Sequence, residues 1–293
     1  MNLLDGSSFK DEKDIGMVIA PKINAVGRMN EDARSVNLLV NYFVTSKLDL
    51  IKSISKAIEN TNENRKLYTK NVVSTLKDYS SASAISCLLE VKEGLLGLVA
   101  TRLLTQYNVP VAVFTTESHD STLLKASLRS KHGCNLSEFL SSLDFLVAYG
   151  GHSQAAGVTI KATDLEKFKK SFSEYAKNNP FRDEIKSINI ELNDVNLENL
   201  KIINSFAPFG KDFEEPNFKL NLNVKSLKFT SNKKHIINLI NQTSRIIYFN
   251  ADKDSNISLF GNIEFIGNIR SNSFNGRNFV DFVTNKTLVD ENA

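Results

Sequence analysis

The segment LLKASLR, residues 123–129, alternates apolar and polar side chains over its whole length. Such alternation predicts a half-buried β-strand, because successive side chains of a strand point to opposite faces. The polar face would then carry Lys125, Ser127, Arg129 and Lys131. These groups suit a phosphate, since Arg offers a bidentate fork and Ser a small donor. A basic edge strand, kept charged against aggregation, explains the same pattern equally well.

Strands and helices alternate on both sides of this segment, over residues 82–180. Further strands are predicted at 85–91, 109–115 and 157–161, and helices at 94–107, 135–148 and 164–176, with Asn135 as the N-cap of the helix at 135–148. This alternation predicts an α/β layer domain.

Residues 31–81 predict a helical connector. Apolar residues recur at helical spacing between residues 50 and 61, and no Gly or Pro interrupts residues 31–93. We expect a break near Thr45-Ser46, with Ser46 as the N-cap of the second helix. Residues 1–30 are too few for a domain, and they predict a short strand at 16–20 followed by a polar turn at 22–28.

After residue 180 the sequence changes to long runs of alternating apolar and polar residues. At least four such runs predict a small antiparallel β-barrel over residues 181–293. Phe-Asn-Gly at 274–276 predicts a hairpin, because Asn-Gly tolerates the positive φ angles of a tight turn.

Composition places the chain among ordinary globular proteins. Its 293 residues are 41% hydrophobic, and its net charge of +3 is too small to indicate a nucleic-acid binder, so any basic surface must be local. The two cysteines, Cys87 and Cys134, lack a CxxC partner, and no run of 18 residues is free of charge. We therefore expect a soluble, cytoplasmic protein with reduced thiols and no membrane partner.

Two further segments could bind a phosphate. At Gly150, Gly151 and His152, paired glycines would let the backbone approach a ligand and His152 could donate a hydrogen bond, although a tight turn with a surface histidine is the commoner finding. Asn24 and Arg28 could present an amide and a guanidinium to a polyanion, although a solvated loop is again commoner.

The sequence offers no complete catalytic centre. A nuclease that uses divalent metals needs several Asp, Glu and His side chains that converge, and the four histidines here are isolated from one another and from any Asp-x-Asp cluster. No catalytic residue, metal ligand or bound cofactor is therefore assigned within this chain.

Taken in order, these segments resemble the RecJ-type single-stranded-DNA-specific exonucleases of the DHH phosphoesterase family. IAPKINAVGRM at 19–29 resembles the segment that closes the DHH domain, and EGLLGLVATRL at 93–103 resembles a helix of the associated DHHA1 domain. SLRS at 127–130 and GGHSQAAG at 150–157 are similar to that domain's strand and Gly-Gly-His signatures. Downstream, PFG at 208–210 and EPNF at 215–218 resemble the stretch that leads into the family's OB domain.

The resemblance implies four regions: a remnant of the DHH domain at 1–30, a helical connector at 31–81, a DHHA1-like α/β domain at 82–180 and an OB-like β-barrel at 181–293. It implies the nucleic-acid-binding C-terminal part of a 5′-to-3′ exonuclease on single-stranded DNA. The Mn²⁺ or Mg²⁺ ligands would belong to DHH segments that precede residue 1, so this chain alone would be inactive. A separately encoded DHH half is a candidate partner. The contacts carried over from the family's motifs are Asn24, Arg28, Ser127, Arg129, Gly150, Gly151 and His152.

Two other functions stay open at this stage, namely a standalone single-strand-binding module and a phosphodiesterase of short oligonucleotides. OB barrels bind single strands through basic and aromatic side chains on one face. The candidates on the barrel are Lys228, Phe229, Lys233, Lys234, His235, Arg245 and Tyr248. Packing in the barrel core explains Phe229 and Tyr248 equally well.

Overall fold

The computed structural model describes residues 3, 12–29, 33–182, 186–210, 213–224, 228–230, 234–239, 241, 243–249, 251, 261–274 and 276–288. The chain divides into two compact units, Met1–Glu184 and Ile185–Ala293. Each unit has its own hydrophobic core and is described by itself.

The first unit begins with helices. They are α1 (Glu12–Asp14), a π-helical segment (Ile15–Ile19), α2 (Ala20–Met29), α3 (Ala33–Val44) and α4 (Leu48–Ser74). The strand predicted at 16–20 and the turn predicted at 22–28 are therefore wrong. A short apolar run does not distinguish a strand from a helix, and Pro21 lies within a continuous helical run, directly after the π-helical segment. The face of α2 with Ala25 and Val26 is buried, and Val26 packs with Ile54 and Ile58 of α4.

The break predicted near Thr45-Ser46 is confirmed, since residues 45–47 between α3 and α4 are not helical. Ser46 is not the N-cap of α4. That position belongs to Lys47, whose backbone N–H donates to Thr45 Oγ1 at 3.2 Å.

A five-stranded sheet follows. Its elements in chain order are β1 (Ile85–Leu88), α5 (Leu96–Tyr107), β2 (Val111–Thr116), β3 (Leu123–Arg129), α6 (Leu136–Ser141), β4 (Ala148–Gly151), β5 (Ala155–Lys161) and α7 (Leu165–Asn178). The strand order is β1-β2-β3-β5-β4, with β1 and β2 parallel and the other pairs antiparallel. The strand predicted at 123–129 is confirmed to the residue. Because β3 is the third of five strands, its basic residues are not explained by protection of a sheet edge.

The helix predicted at 135–148 begins where expected but ends early. The Asn135 side chain accepts hydrogen bonds from the backbone of Ser137 and Glu138, so the predicted N-cap is confirmed. Ser141 and Ser142 then donate to the carbonyls of Glu138 and Phe139. Such local bonds compete with helix continuation, and Ala148 lies in β4 instead.

The two faces of this sheet are covered by different helices. On one face, Val111 and Val113 pack with Leu95, Val99 and Leu103 of the α5 region. On the other face, Leu124 and Leu128 of β3 pack with aromatic residues of α6 and α7, namely Phe139, Phe168 and Phe172. Because strand side chains alternate, Lys125, Ser127 and Arg129 lie on the face shared with α5.

The second unit is a six-stranded sheet with a short helix. Its elements are β6 (Ser187–Ile190), α8 (Leu197–Asn204), β7 (Asn217–Val224), β8 (Ile236–Leu239), β9 (Ser244–Tyr248), β10 (Gly261–Phe274) and β11 (Arg277–Leu288), in the sheet order β6-β7-β10-β11-β9-β8. The pairs β6–β7 and β9–β11 are parallel, so the sheet is mixed where the alternating pattern predicted antiparallel pairs. The hairpin predicted at 274–276 is confirmed by the pairing of Phe274 with Arg277, and Asn275 lies outside the described residues.

Candidate nucleic-acid interface

A row of small residues crosses three strands of the first sheet. Ser127 of β3 pairs with Gly157 of β5, and Gly157 pairs with Gly150 of β4. Residues that are directly opposite each other in a sheet point to the same face, so all three lie on the face shared with α5. A Cβ added at Gly150 would meet nothing within 4 Å, and one added at Gly157 would touch only the Ala126 carbonyl at 3.7 Å. Because these residues have small side chains or none, a ligand's backbone can approach the surface of this part of the sheet closely.

Arg129 lies two residues after Ser127 in β3 and is therefore the next side chain on the same face. Its Nη1 donates to Ser127 Oγ at 3.0 Å and to the Leu128 carbonyl at 2.7 Å. Within the described residues the guanidinium has no carboxylate partner. Burial, and then the nearby charge of Arg28, lower the pKa of Arg129 from its usual value. The hydroxyl and guanidinium predicted to share a face therefore touch each other.

Gly97, in the first turn of α5, lets the helix approach these two groups. A Cβ at this position would lie 2.5 Å from Arg129 Nη2 and 3.2 Å from Ser127 Oγ. Both distances are shorter than an ordinary contact of about 3.5 Å. Any larger residue would displace the guanidinium from its present place.

Arg28 reaches the same area from α2. Its Nη1 donates to the Gly94 carbonyl at 3.2 Å, and a Cβ at Gly94 would lie 2.7 Å from the Arg28 carbonyl oxygen. Lys92 donates to the carbonyl of Met29 at the end of α2. Asn24 is exposed one helical turn before Arg28, so the two side chains lie on the same side of α2. The segment that the sequence presented as a turn is therefore a helix that ends against the loop before α5.

The Gly-Gly-His segment forms the tip of the β4–β5 hairpin. Gly151 has φ of +137°, and a Cβ there would lie 2.5 Å from the Ala155 carbonyl oxygen, so this position requires glycine. The His152 backbone N–H donates to Ala155 O at 2.8 Å. The imidazole of His152 is exposed. Gly151 and the His152 backbone thus maintain the hairpin, whereas Gly150 and the His152 ring face open space.

An open groove of about 360 Å³ lies between the start of α5 and strands β3, β5 and β4, and Ser127, Gly157 and Gly150 are part of its lining. Lys125 lies in this groove and is held by Glu117 at 2.9 Å and Glu93 at 3.3 Å. The hydrogen bond that Lys125 donates to Glu117 raises the pKa of Lys125, so Lys125 stays charged while the two carboxylates neutralise its charge. Tyr149, which is 52% exposed, lies at the rim, and sequence reasoning did not select it as a contact. Lys131, predicted on the same polar face, donates to Asn108 Oδ1 instead.

The barrel candidates separate into core and surface residues. Arg245 is buried and forms a bidentate ion pair with Asp281, with both N···O distances at 2.8 Å, and its guanidinium lies 4.0 Å from the Phe279 ring centroid. Tyr248 is buried in the core and Phe229 packs against it. Lys228 and Lys234 are exposed, His235 contacts Phe249, and Lys233 lies outside the described residues. Arg245 and Tyr248 therefore serve the core of this unit.

Among the described residues, no group of three or more His, Cys, Asp or Glu side chains is placed to hold a metal ion. The side chains that the structure describes do not fit a divalent-metal centre such as metal-dependent nucleases use. No helix in the described ranges has both the length and the apolar character needed to cross a bilayer.

Two protein-family models match the chain. A DHHA1 domain matches residues 81–178 and a RecJ OB domain matches residues 187–286. The single-stranded-DNA-specific exonuclease RecJ of Bacillus subtilis is 25% identical over 298 residues, which cover 96% of this chain and 37% of the relative. The Haemophilus influenzae exonuclease of the same name is 24% identical over 244 residues, covering 76% of this chain and 41% of the relative. The chain thus spans about two fifths of the length of these relatives.

The fold is shared with RecJ of Thermus thermophilus, whose structures were solved with Mn²⁺ and with Mg²⁺. The TM-scores are 0.82 and 0.80, at 21% and 22% identity, and each match covers 99% of this chain but only 43% and 46% of the Thermus chain. An α/β DHHA1 domain followed by an OB domain, with a helical part before them, is the class of protein that the fold and the matches define. The chain carries a DHHA1 domain followed by a RecJ OB domain, and it matches the C-terminal portion of these RecJ proteins.

Proposed function

We propose that this chain binds single-stranded DNA along the open groove of its DHHA1 domain and directs the strand toward a DHH catalytic domain. The observation that carries the proposal is the in-register row Ser127, Gly157 and Gly150, with the Arg129 guanidinium bonded to Ser127 and the Arg28 guanidinium bonded to the Gly94 carbonyl just before α5. Small residues let a sugar–phosphate backbone come close, and the adjacent hydroxyl and guanidinium groups supply donors to its phosphates.

The electrostatics of the groove support a polyanion as the ligand. Arg129 lies close to another cation, Arg28, and has no carboxylate partner in the described parts of the chain, whereas Lys125 is already neutralised by Glu93 and Glu117. A guanidinium kept half-buried without a counter-ion is a charge that a phosphate would compensate. Tyr149 at the rim offers a ring on which a base can stack. Asn24, Gly150, Gly151 and His152 complete the proposed contact set.

The test measures the binding of the full chain to labelled, 5′-phosphorylated oligothymidylates of increasing length by fluorescence anisotropy over a range of salt concentrations. Arg129→Ala should weaken binding and reduce the slope of log K against log salt by about 0.7, the value for one single-strand phosphate contact. Lys170→Ala is the matched control, because Lys170 is an exposed cation on α7, which covers the opposite face of the sheet. Unchanged affinity and slope in Arg129→Ala would overturn the proposal.

Strand length separates this function from that of a phosphodiesterase of short oligonucleotides. Affinity that rises with length fits a strand-binding surface, whereas equal affinity for a dinucleotide and a long strand would favour the phosphodiesterase. Incubation with Mn²⁺ and 5′-phosphorylated single strands should give no digestion by this chain alone, because the described residues hold no metal-binding group. Robust digestion would contradict the assignment of catalysis to a DHH domain.

A further inference from the structure

The inward face of α4 carries a polar interruption. Ile54 and Ile58 are buried with Val26 of α2, and Val72 and Val73 pack against the core below α5. Between these two apolar stretches lie Asn62, Arg65 and Thr69, spaced three and four residues apart and thus on one side of the helix. Polar side chains at buried positions contribute less hydrophobic stabilisation than apolar ones would. Their presence on this face of α4 therefore suggests a function other than packing.

Two polar atoms of this interruption have no hydrogen-bond partner in the part of the chain that the structure describes. Thr69 Oγ1 donates to the Arg65 carbonyl at 2.9 Å and is therefore satisfied. The Oδ1 of Asn62 and the Nε of Arg65 are buried, and neither has a hydrogen-bond partner among the described residues. A buried donor on a charged group is costly when it has no partner, because it has lost its water.

The helix that carries Arg65 packs against the two elements that hold the groove cations. Helix α4 packs against both α2 and α5, whose ends carry Arg28 and border Arg129. Burial and then the charge of Arg28 lower the pKa of Arg65, as they do for Arg129. Among the described residues, none of these arginines forms a salt bridge. Among the described carboxylates, Glu63 partly offsets the charge of Arg65, and it is exposed and pairs with Lys66.

We propose that Arg65 is a third guanidinium of the phosphate-binding site formed with Arg28 and Arg129, and that it binds a phosphate group of the nucleic acid directly. The proposal rests on the proposed function and deepens it, since it adds a contact residue from the helical connector that no motif of the sequence contains. Three like charges repel one another in the free protein, and an anion placed among them relieves both this repulsion and the unpaired donor of Arg65.

The test compares Arg65→Gln, Arg65→Lys and the control Lys66→Gln in the full chain. Lys66 is the next residue on α4, carries the same charge and is exposed. The probes are oligothymidylates of about 12 nucleotides, one with a 5′-phosphate and one with a 5′-hydroxyl. Arg65→Gln should weaken binding about tenfold and lower the salt slope by about 0.7, whereas Arg65→Lys should retain the slope and Lys66→Gln should bind like the natural chain.

The melting temperature distinguishes a binding role from a structural one. Removing one of several like charges should leave the Tm of the free Arg65→Gln protein unchanged or raise it. A lower Tm with an unchanged salt slope would mean that Arg65 only supports the helix packing, and would overturn the proposal. A loss of affinity for both probes assigns Arg65 to an internal phosphate, and a loss for the 5′-phosphorylated probe alone assigns it to the terminal one; both support the proposal.

The same data separate failure of this inference from failure of the proposed function. Weaker binding by Arg129→Ala together with normal binding by Arg65→Gln would overturn the role of Arg65 and leave the groove as the binding site. Normal binding by both variants would overturn the groove itself.

Discussion

Replacing Gly97 by Ala should separate binding from stability, because the added methyl group meets the end of a side chain. The new Cβ would lie 2.5 Å from Arg129 Nη2, so the guanidinium must move by about 1 Å to reach an ordinary contact distance. Gly97 is in helix α5, where Ala is more favourable than Gly by about 1 kcal/mol. The gain in helix propensity offsets the cost of moving Arg129, and the free energy of unfolding should stay within about 1 kcal/mol of the natural value.

Binding should respond much more strongly. The displaced guanidinium no longer lies where it can donate to the phosphate, and a hydrogen bond to a charged group contributes about 1.5–3 kcal/mol. We therefore expect Gly97→Ala to weaken single-strand binding by about tenfold to a hundredfold. Fluorescence anisotropy measures the affinity, and urea denaturation measures the stability.

Two controls test the cause of this effect. Gly16→Ala is the same change in a helical segment where the new methyl meets nothing within 4 Å, and it lies about 18 Å along the helix from Arg28. The affinity of the Gly16→Ala variant for single strands should be unchanged. The double variant Gly97→Ala with Arg129→Ala should bind no more weakly than Arg129→Ala alone, since both changes remove the same contact. Natural affinity in Gly97→Ala, or a loss of stability above about 2 kcal/mol, would refute the reasoning.

Three further predictions concern other parts of the chain. Gly151→Ala should destabilise the first unit by about 1–3 kcal/mol in urea denaturation, because the residue has φ of +137° and its Cβ would lie 2.5 Å from backbone atoms. Gly150→Ala should leave the stability unchanged but lower the affinity for single strands. Equal stability of the two variants would contradict this prediction. Asp281→Ala should lower the free energy of unfolding of the second unit by about 3–5 kcal/mol, because it leaves the Arg245 guanidinium buried without its carboxylate. A loss below about 1 kcal/mol would show that water reaches the ion pair. Burial raises the pKa of Cys87 to about 11 from 9.0, so the thiol loses its proton at lower pH in the unfolded state than in the folded state, and the free energy of unfolding should fall as the pH rises between these values. Cys87→Ala should reduce this pH dependence. An equal pH dependence with and without Cys87 would contradict the assignment.

The sequence predicts the groove's floor better than its borders. The alternation of apolar and polar residues predicts Ser127 and Arg129 on one face of a strand, because a repeat of two residues is typical of a β-strand and not of a helix. The strand's central position in the sheet and the pairing of Gly150 with Gly157 depend on long-range register, which no local pattern contains.

The mistaken elements have local physical causes. Residues 16–20 are a short apolar run, which satisfies a strand and a buried helical turn equally, and packing on α4 decided for the helix. The helix after Asn135 was extended too far because its apolar residues continue beyond Ser142, where serine hydroxyls compete for the last carbonyls.

Arg65 could not be found from the sequence. It lies in the stretch ENTNENRK, residues 59–66, which is typical of a solvated helix face. Only the packing of α4 against α2 and α5 turns this part of the helix inward. A half-buried arginine inside a mixed-charge run leaves no periodic signal.

The most direct test of the groove as the strand-binding site is a crystal structure of the full chain with a 5′-phosphorylated oligothymidylate. The strand should cross the row formed by Ser127, Gly157 and Gly150, with a phosphate oxygen about 3 Å from Ser127 Oγ and from the guanidinium of Arg129. A strand bound only to residues 185–293, with no phosphate near Arg129, would contradict this site.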